Sequence, residues 1–121
     1  MNQREIKFKA KNVLTGKWEI YTLQDLIDGK AKGIALDNWR ESTGLLDKSG
    51  KEVYRGDIVK RFRRGKYTKA ITGEIKWNFS NFQWRFFRYR NFSQPLKSNF
   101  SCKIIGNIYD DPNLLTINSN R

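Results

Sequence analysis

Histidine is absent from this chain of 121 residues, and cysteine and methionine occur once each. The missing imidazole removes the commonest general base and the commonest metal ligand. It also excludes Ser–His and Cys–His nucleophile pairs within the chain, and one cysteine without histidine excludes the usual zinc spacings. No glycine-rich phosphate loop of the G-x-x-x-x-G-K-S/T or G-x-G-x-x-G type is present. No apolar run approaches the roughly 20 residues needed to cross a bilayer. The segment Met1 to Lys11 is polar and alternating, without the apolar centre of a secretory signal. The lone Cys102 has no internal disulfide partner, which fits a reducing compartment and gives a cytoplasmic expectation. A non-enzymatic protein that needs no cofactor, metal or membrane follows from these absences, and no small-molecule substrate is evident.

Acidic side chains are scarce as well. Lys and Arg number 24 against 12 Asp and Glu, a formal net charge of +12. Most of that excess belongs to one stretch, because residues 55–103 hold thirteen Lys or Arg against only Asp57 and Glu74. A field concentrated in this way is expected where one surface meets a polyanion, and a solubilising surface is the plainer alternative. Aromatic residues make up 14% of the chain, too many for a disordered polyelectrolyte, so the chain reads as folded. Its length suits one domain without a covalent staple.

Along the chain, Arg4 to Ala10 alternates polar and apolar residues as a half-buried strand does. Thr15-Gly16-Lys17 turns it into Trp18–Tyr21, a second strand pairing back as a hairpin. Thr22 suits a helix N-cap with Asp25 three residues on, Leu23, Leu26 and Ile27 have helical spacing, and Gly29 suits the C-terminal end. Residues 34–43 read as extended around Leu36 and Trp39. Asp47-Lys48-Ser49-Gly50 has the residues of a tight turn and joins Thr43–Leu46 to Lys51–Tyr54. Arg55-Gly56-Asp57 turns again into Ile58–Phe62. The strongest strand pattern places Ile71, Gly73, Ile75, Trp77 and Phe79 on one face, with Thr72, Glu74, Lys76 and Asn78 on the other. Phe82–Arg90 and Lys103–Tyr109 supply further strands before Asp110-Asp111-Pro112, and Leu114 and Leu115 are expected to dock on the body.

Three segments carry a resemblance. They are Arg4-Glu5-Ile6-Lys7-Phe8-Lys9-Ala10, the run from Thr43-Gly44-Leu45-Leu46-Asp47 through Tyr54-Arg55-Gly56-Asp57-Ile58-Val59, and Ile105-Gly106-Asn107-Ile108-Tyr109-Asp110-Asp111-Pro112-Asn113-Leu114-Leu115. In order and spacing the chain resembles the YopX family of phage and prophage proteins. Arg55 stands where an acidic residue is commoner in that family. The resemblance implies a mainly β fold with a barrel-like C-terminal half, and expression in a phage-infected bacterium. It implies no activity.

The expected architecture is therefore mainly β. An N-terminal hairpin with a short helix (1–44) packs on an SH3-like or otherwise small barrel or bent sheet (45–115), in one domain of residues 1–115. Residues 116–121 are expected to form a flexible tail. Two clusters are candidate nucleic-acid contacts. Lys60, Arg61, Arg63, Arg64, Lys66 and Lys69 place six cations in ten residues, fit for phosphates or simply a solvated loop. Arg85, Arg88 and Arg90 interleave with Trp84, Phe86, Phe87 and Tyr89. A one-residue bulge at Phe86-Phe87 would turn Phe82, Trp84, Phe87 and Tyr89 inward and the three arginines outward together, whereas stacking of bases on the aromatics is the competing reading. The partner expected from both clusters is DNA or RNA, bound without sequence preference. The alternatives are a second copy of the chain or an acidic host or phage protein. Arg55-Gly56-Asp57 also spells an integrin-binding tripeptide, which the turn explains more simply.

Overall fold

The computed structural model describes residues 6–61, 71–79, 83–88, 93–96 and 101–115. The first two strands, β1 (Lys7–Asn12) and β2 (Trp18–Thr22), form the expected hairpin, with Lys7 opposite Thr22 and Lys11 opposite Trp18. Helix α1 (Leu23–Ile27) follows at once. Thr22 caps it reciprocally: its hydroxyl accepts from the Asp25 N–H at 3.0 Å, and the Asp25 carboxylate accepts from the Thr22 N–H at 3.0 Å. The long strand β3 (Leu36–Leu46) then pairs with β1, and β4 (Glu52–Tyr54) pairs with β3. The result is a four-stranded antiparallel sheet in the order β2-β1-β3-β4.

The second sheet contains β5 (Asp57–Arg61), β6 (Ile71–Asn78), β7 (Gln83–Phe87), β8 (Ser93–Pro95) and β9 (Cys102–Asn107). Its order is β8-β7-β6-β5-β9, antiparallel throughout. The mainly β class with bent sheets is as the sequence predicts, but among the described residues the strands do not close into a barrel. The β9 edge is covered another way. The turn after β3 lies against it, with the Lys48 N–H donating to the Cys102 carbonyl at 2.8 Å. In that turn the Asp47 carboxylate accepts from the N–H groups of Ser49, Lys51 and Ile104 at 2.8, 2.9 and 3.0 Å. Burial pushes its carboxyl up, yet these donors together hold it below the ordinary value.

One core lies between the sheets. Val53, Val59, Ile71, Ile75, Phe86 and Cys102 are buried together, with Trp84, Leu96 and Ile104 packed against them. Full burial of each large apolar side chain contributes about 1.5–3 kcal/mol. Cys102 is the small buried hydrophobe that its place near a strand suggests, and burial pushes its thiol up to about 12. The expected bulge at Phe86-Phe87 is not formed. Trp84, Phe86 and Phe87 pair in unbroken register with Trp77, Ile75 and Glu74. Phe86, fully buried, and Trp84 therefore face the core, while Arg85 and Phe87 face away. Unbroken alternation keeps every β6–β7 pair of hydrogen bonds, which a bulge would have disrupted.

A second junction joins the N-terminal sheet to the C-terminal end. Between Lys9 and Lys11 the β1–β3 register shifts by one extra residue in β3, where Asn38 adopts φ +56°. The extra residue puts Arg40, rather than Trp39, opposite Lys9. Arg40 is 1% exposed and forms an ion pair with Asp57, which is 2% exposed. Its Nε donates to the Arg55 carbonyl at 2.7 Å, and the second Asp57 oxygen accepts from the Tyr54 N–H at 2.7 Å. The guanidinium lies 4.7 Å from the Trp18 ring and 5.7 Å from the Tyr109 ring. Burial raises the Asp57 carboxyl above its ordinary range, while Arg40, the Tyr54 N–H and Lys9 pull it back down. Asp57 is thus sealed inside the molecule, and the tripeptide at 55–57 is a turn. Gly56 serves that turn at φ +86°, with the Tyr109 ring 3.0 Å from where a Cβ would sit.

The C-terminal segment closes over this junction. Asp110 accepts from Lys11 Nζ at 2.5 Å and from Trp18 Nε1 at 2.8 Å. At Gly106 a Cβ would meet Asp111 Oδ2 at 2.6 Å and Leu114 at 2.9 Å, so the bare backbone admits the turn and the helical residues 113–115, docked as the sequence predicts. The 116–121 tail lies outside the described residues.

Two outcomes follow for stability. Arg40→Met or Asp57→Asn alone should destabilise the fold by about 3–5 kcal/mol, since each strands a buried partner, and the double variant should cost less than the sum. Urea titration checks this, and single-variant losses below about 1 kcal/mol would remove the pair as an organiser. The Asp110 carboxyl is held down at about 2, first by Lys11 and then by Trp18. A depressed carboxylate stabilises fully above its unfolded pKa, and that stability disappears as pH falls through the folded value. Asp110→Asn should accordingly flatten the decline in stability between pH 3.8 and about 2, read by circular dichroism.

Candidate functional site

Register along the second sheet sorts its side chains into two faces. One is the core face just described. The other carries Ile58 and Lys60 of β5, Thr72, Glu74 and Lys76 of β6, Arg85 and Phe87 of β7, and Lys103 of β9. Its middle level, at Ile58 and Glu74, lies between that of Lys60 and that of Lys76 and is covered on the β5 side by the C-terminal segment at Gly106. One end exposes Lys60 and Lys103, and the other exposes Lys76 with Arg85 half-buried beside it. Lys60 lies directly opposite Lys103, and Lys76 directly opposite Arg85.

Like charges placed opposite one another across strands are destabilising. The second pair is partly eased by an acid of the face. Glu74 is its one acidic side chain among the described residues of β5, β6, β7 and β9, and it lies 4.0 Å from Lys76. The Arg85 guanidinium also donates to Gln83, and Lys76 Nζ lies 5.3 Å from the Phe87 ring centroid. An aromatic ring thus lies among the cations. Two rows of positive charge, about 13 Å apart at strand rise, form the basic surface.

Of the residues expected from sequence, Lys60 and Arg85 share this face. Arg61 does not: it alternates onto the core face, opposite Ile71 and Cys102, and is half-buried. Arg88 is exposed just beyond the end of β7, and the grouping of three arginines through a bulge is not formed. Arg63, Arg64, Lys66, Lys69 and Arg90 lie outside the described residues, as do Phe82 and Tyr89. Lys76 and Lys103 join the site without having been singled out. The alternation that set Lys76 beside Glu74 was visible, but the pairing that brings Lys103 to Lys60 is long-range.

Beside the basic face is a groove of about 310 Å³, lined by Glu41, Arg55, Gly56, Glu74, Lys76, Trp77, Phe79 and Ile108. Arg55 is ion-paired with Glu41 and donates to the Trp39 carbonyl. Burial raises the Glu74 carboxyl, with Lys76 and Arg55 opposing. Phe79, expected on the core face, lies past the end of β6 and is 76% exposed. Its ring meets Trp77 edge-on at 6.4 Å, and Trp77 meets Trp84 edge-on at 5.2 Å.

The family model described as YopX protein matches residues 2–116. The chain belongs to the YopX family. Among solved structures, the crystal structure of protein EF1440 from Enterococcus faecalis is similar with a TM-score of 0.51 over 91% of this chain and 97% of that chain. At 20% identity the likeness concerns the fold. No curated protein matches the chain. The segments that resemble the YopX family hold the structure: Asp47 ties a turn to β9, Asp57 receives Arg40, and Gly106 admits the C-terminal turn. The basic face lies mostly outside them.

Because Lys60 and Arg61 point to opposite faces, their charge reversals should differ. Lys60→Glu should change folding free energy by no more than about 0.5 kcal/mol, as surface substitutions do, whereas Arg61→Glu should cost several-fold more. Equal costs in thermal unfolding would contradict the assigned faces.

Proposed function

We propose that this YopX-family protein is a non-enzymatic phage or prophage accessory module that binds nucleic acid through the outer face of its five-stranded sheet. One observation carries the reading: Lys60–Lys103 and Lys76–Arg85 set cations against cations across neighbouring strands. Such pairs cost stability in the free protein, and a polyanion relieves them. Phosphates supply that charge without base information, so binding is largely independent of sequence and strongly dependent on salt. The absence of histidine from the chain favours binding over catalysis.

A different surface favours a second reading, a protein-interaction module. Ile6, Ile20, Leu23 and Ile27, in and around the N-terminal hairpin and α1, are between 42% and 68% exposed. An apolar surface of this kind suits a partner protein or a second copy.

Fluorescence anisotropy of labelled single-stranded DNA, duplex DNA and RNA over a salt series separates the two. The Lys60→Glu/Lys76→Glu/Lys103→Glu variant should bind duplex at least tenfold more weakly, with a log–log salt slope reduced by about 2–3. Unchanged affinity in the folded variant would remove the face from the reading. No binding by the unmodified protein at low salt would transfer the function to the apolar surface.

A further inference from the structure

The groove beside the basic face contains features that phosphate binding does not use. Lys76 belongs to both, so a strand held on the face runs past the groove mouth. Inside are two carboxylates, Glu41 and Glu74, the first already held by Arg55. Arg55 and Lys76 line the same space of about 310 Å³ and pair with these acids, so the groove carries no net charge and suits an uncharged group. A carboxylate also accepts readily from the exocyclic amino group of a base. Phe79 stands at the rim with most of its ring exposed, braced edge-on by Trp77. An exposed face on a braced ring is suited to stacking, and such stacking is open to any base that is not already stacked in a duplex. The volume lies at the lower end of ligand pockets, roughly 300–1,000 Å³, and suits one flat ring system.

Building on the nucleic-acid reading above, we infer that the groove seats one unpaired base of a single-stranded nucleic acid. The base stacks on Phe79 with its amino edge toward Glu74, while Lys76 and Arg85 hold the neighbouring phosphates. The protein is then selective for single strands over duplex, through one pocket beside a surface that attracts both.

The test compares the unmodified protein with Phe79→Ala and Phe79→Tyr, using short labelled oligo-dC, oligo-dT and a blunt duplex. Phe79 is exposed, so truncation should leave the fold intact, and its circular dichroism and melting confirm that. Phe79→Ala should lose about tenfold in single-strand affinity, the worth of one stacked base, with duplex affinity unchanged, and Phe79→Tyr should restore it. Oligo-dC should bind roughly fivefold tighter than oligo-dT, the contribution of one net hydrogen bond. Equal affinity for the two oligomers would overturn the Glu74 contact. Single-strand affinity unchanged in Phe79→Ala, or equal losses on single strand and duplex, would overturn the pocket while leaving the basic face in place. Failure of the unmodified protein to bind any oligomer at low salt would overturn both.

Discussion

Arg40 carries a full charge into an interior where an isolated guanidinium would be prohibitively costly, and the surrounding structure is arranged to make it tolerable. Asp57 supplies the opposite charge, the Arg55 carbonyl takes a second donor, and the rings of Trp18 and Tyr109 lie within cation–π distance of the guanidinium. Each of these groups comes from a different part of the chain. Arg40 lies in β3, Trp18 in β2, Asp57 at the start of β5, and Tyr109 in the C-terminal turn. Satisfying one buried charge therefore requires the four-stranded sheet, the five-stranded sheet and the C-terminus to be in register at once. The ion pair contributes less to net stability than to uniqueness, because an arrangement that misplaces any partner leaves a charge uncompensated.

The pair also explains a local irregularity. β3 carries one more residue than β1 can match, and Asn38 takes a left-handed backbone to absorb it. In a regular ladder Trp39 would take the place opposite Lys9 and Arg40 would face outward. The bulge exchanges them. Trp39 then joins Phe8 and Tyr21 in an aromatic cluster on the far side, at centroid distances of 6.4 and 6.0 Å. A single inserted residue thus assigns one side chain to each of two clusters.

Local signals were legible in the sequence where the interaction that fixes them is itself local. Thr22 and Asp25 cap a helix three residues apart, Asp47 closes its own turn, and the alternation from Ile71 to Trp77 names the core face of β6 without reference to any other strand. What escaped was set by pairing at a distance. Nothing near Arg40 reveals that an extra residue turns it inward. Phe86 and Phe87 in succession suggest a bulge until the continuous register with Ile75 and Glu74 is known. Lys60 and Arg61 read as one basic run although strand geometry sends them to opposite faces, and Lys103 enters the site only because β9 adds to the far edge of β5. The motif that resembles the family identified the fold correctly because its residues specify turns and the junction. For the same reason it is silent about the basic face.

The two acids of the 55–103 stretch show how the fold turns a compositional bias into a surface property. Asp57 is spent on Arg40, a cation from outside that stretch, and is removed from solvent. It therefore neutralises none of the cations around it in sequence. Glu74 remains, but beside the groove, where it counters Lys76. Among the described residues, Glu74 is therefore the one acid that this stretch leaves near its surface cations. On the proposed reading, electrostatic attraction is broad, drawing a polyanion to the sheet, whereas Glu74 and Phe79 meet in the groove. Attraction and discrimination would thereby be separated in space. Sequence-independent affinity and a preference for one form of nucleic acid can then coexist on a domain this small.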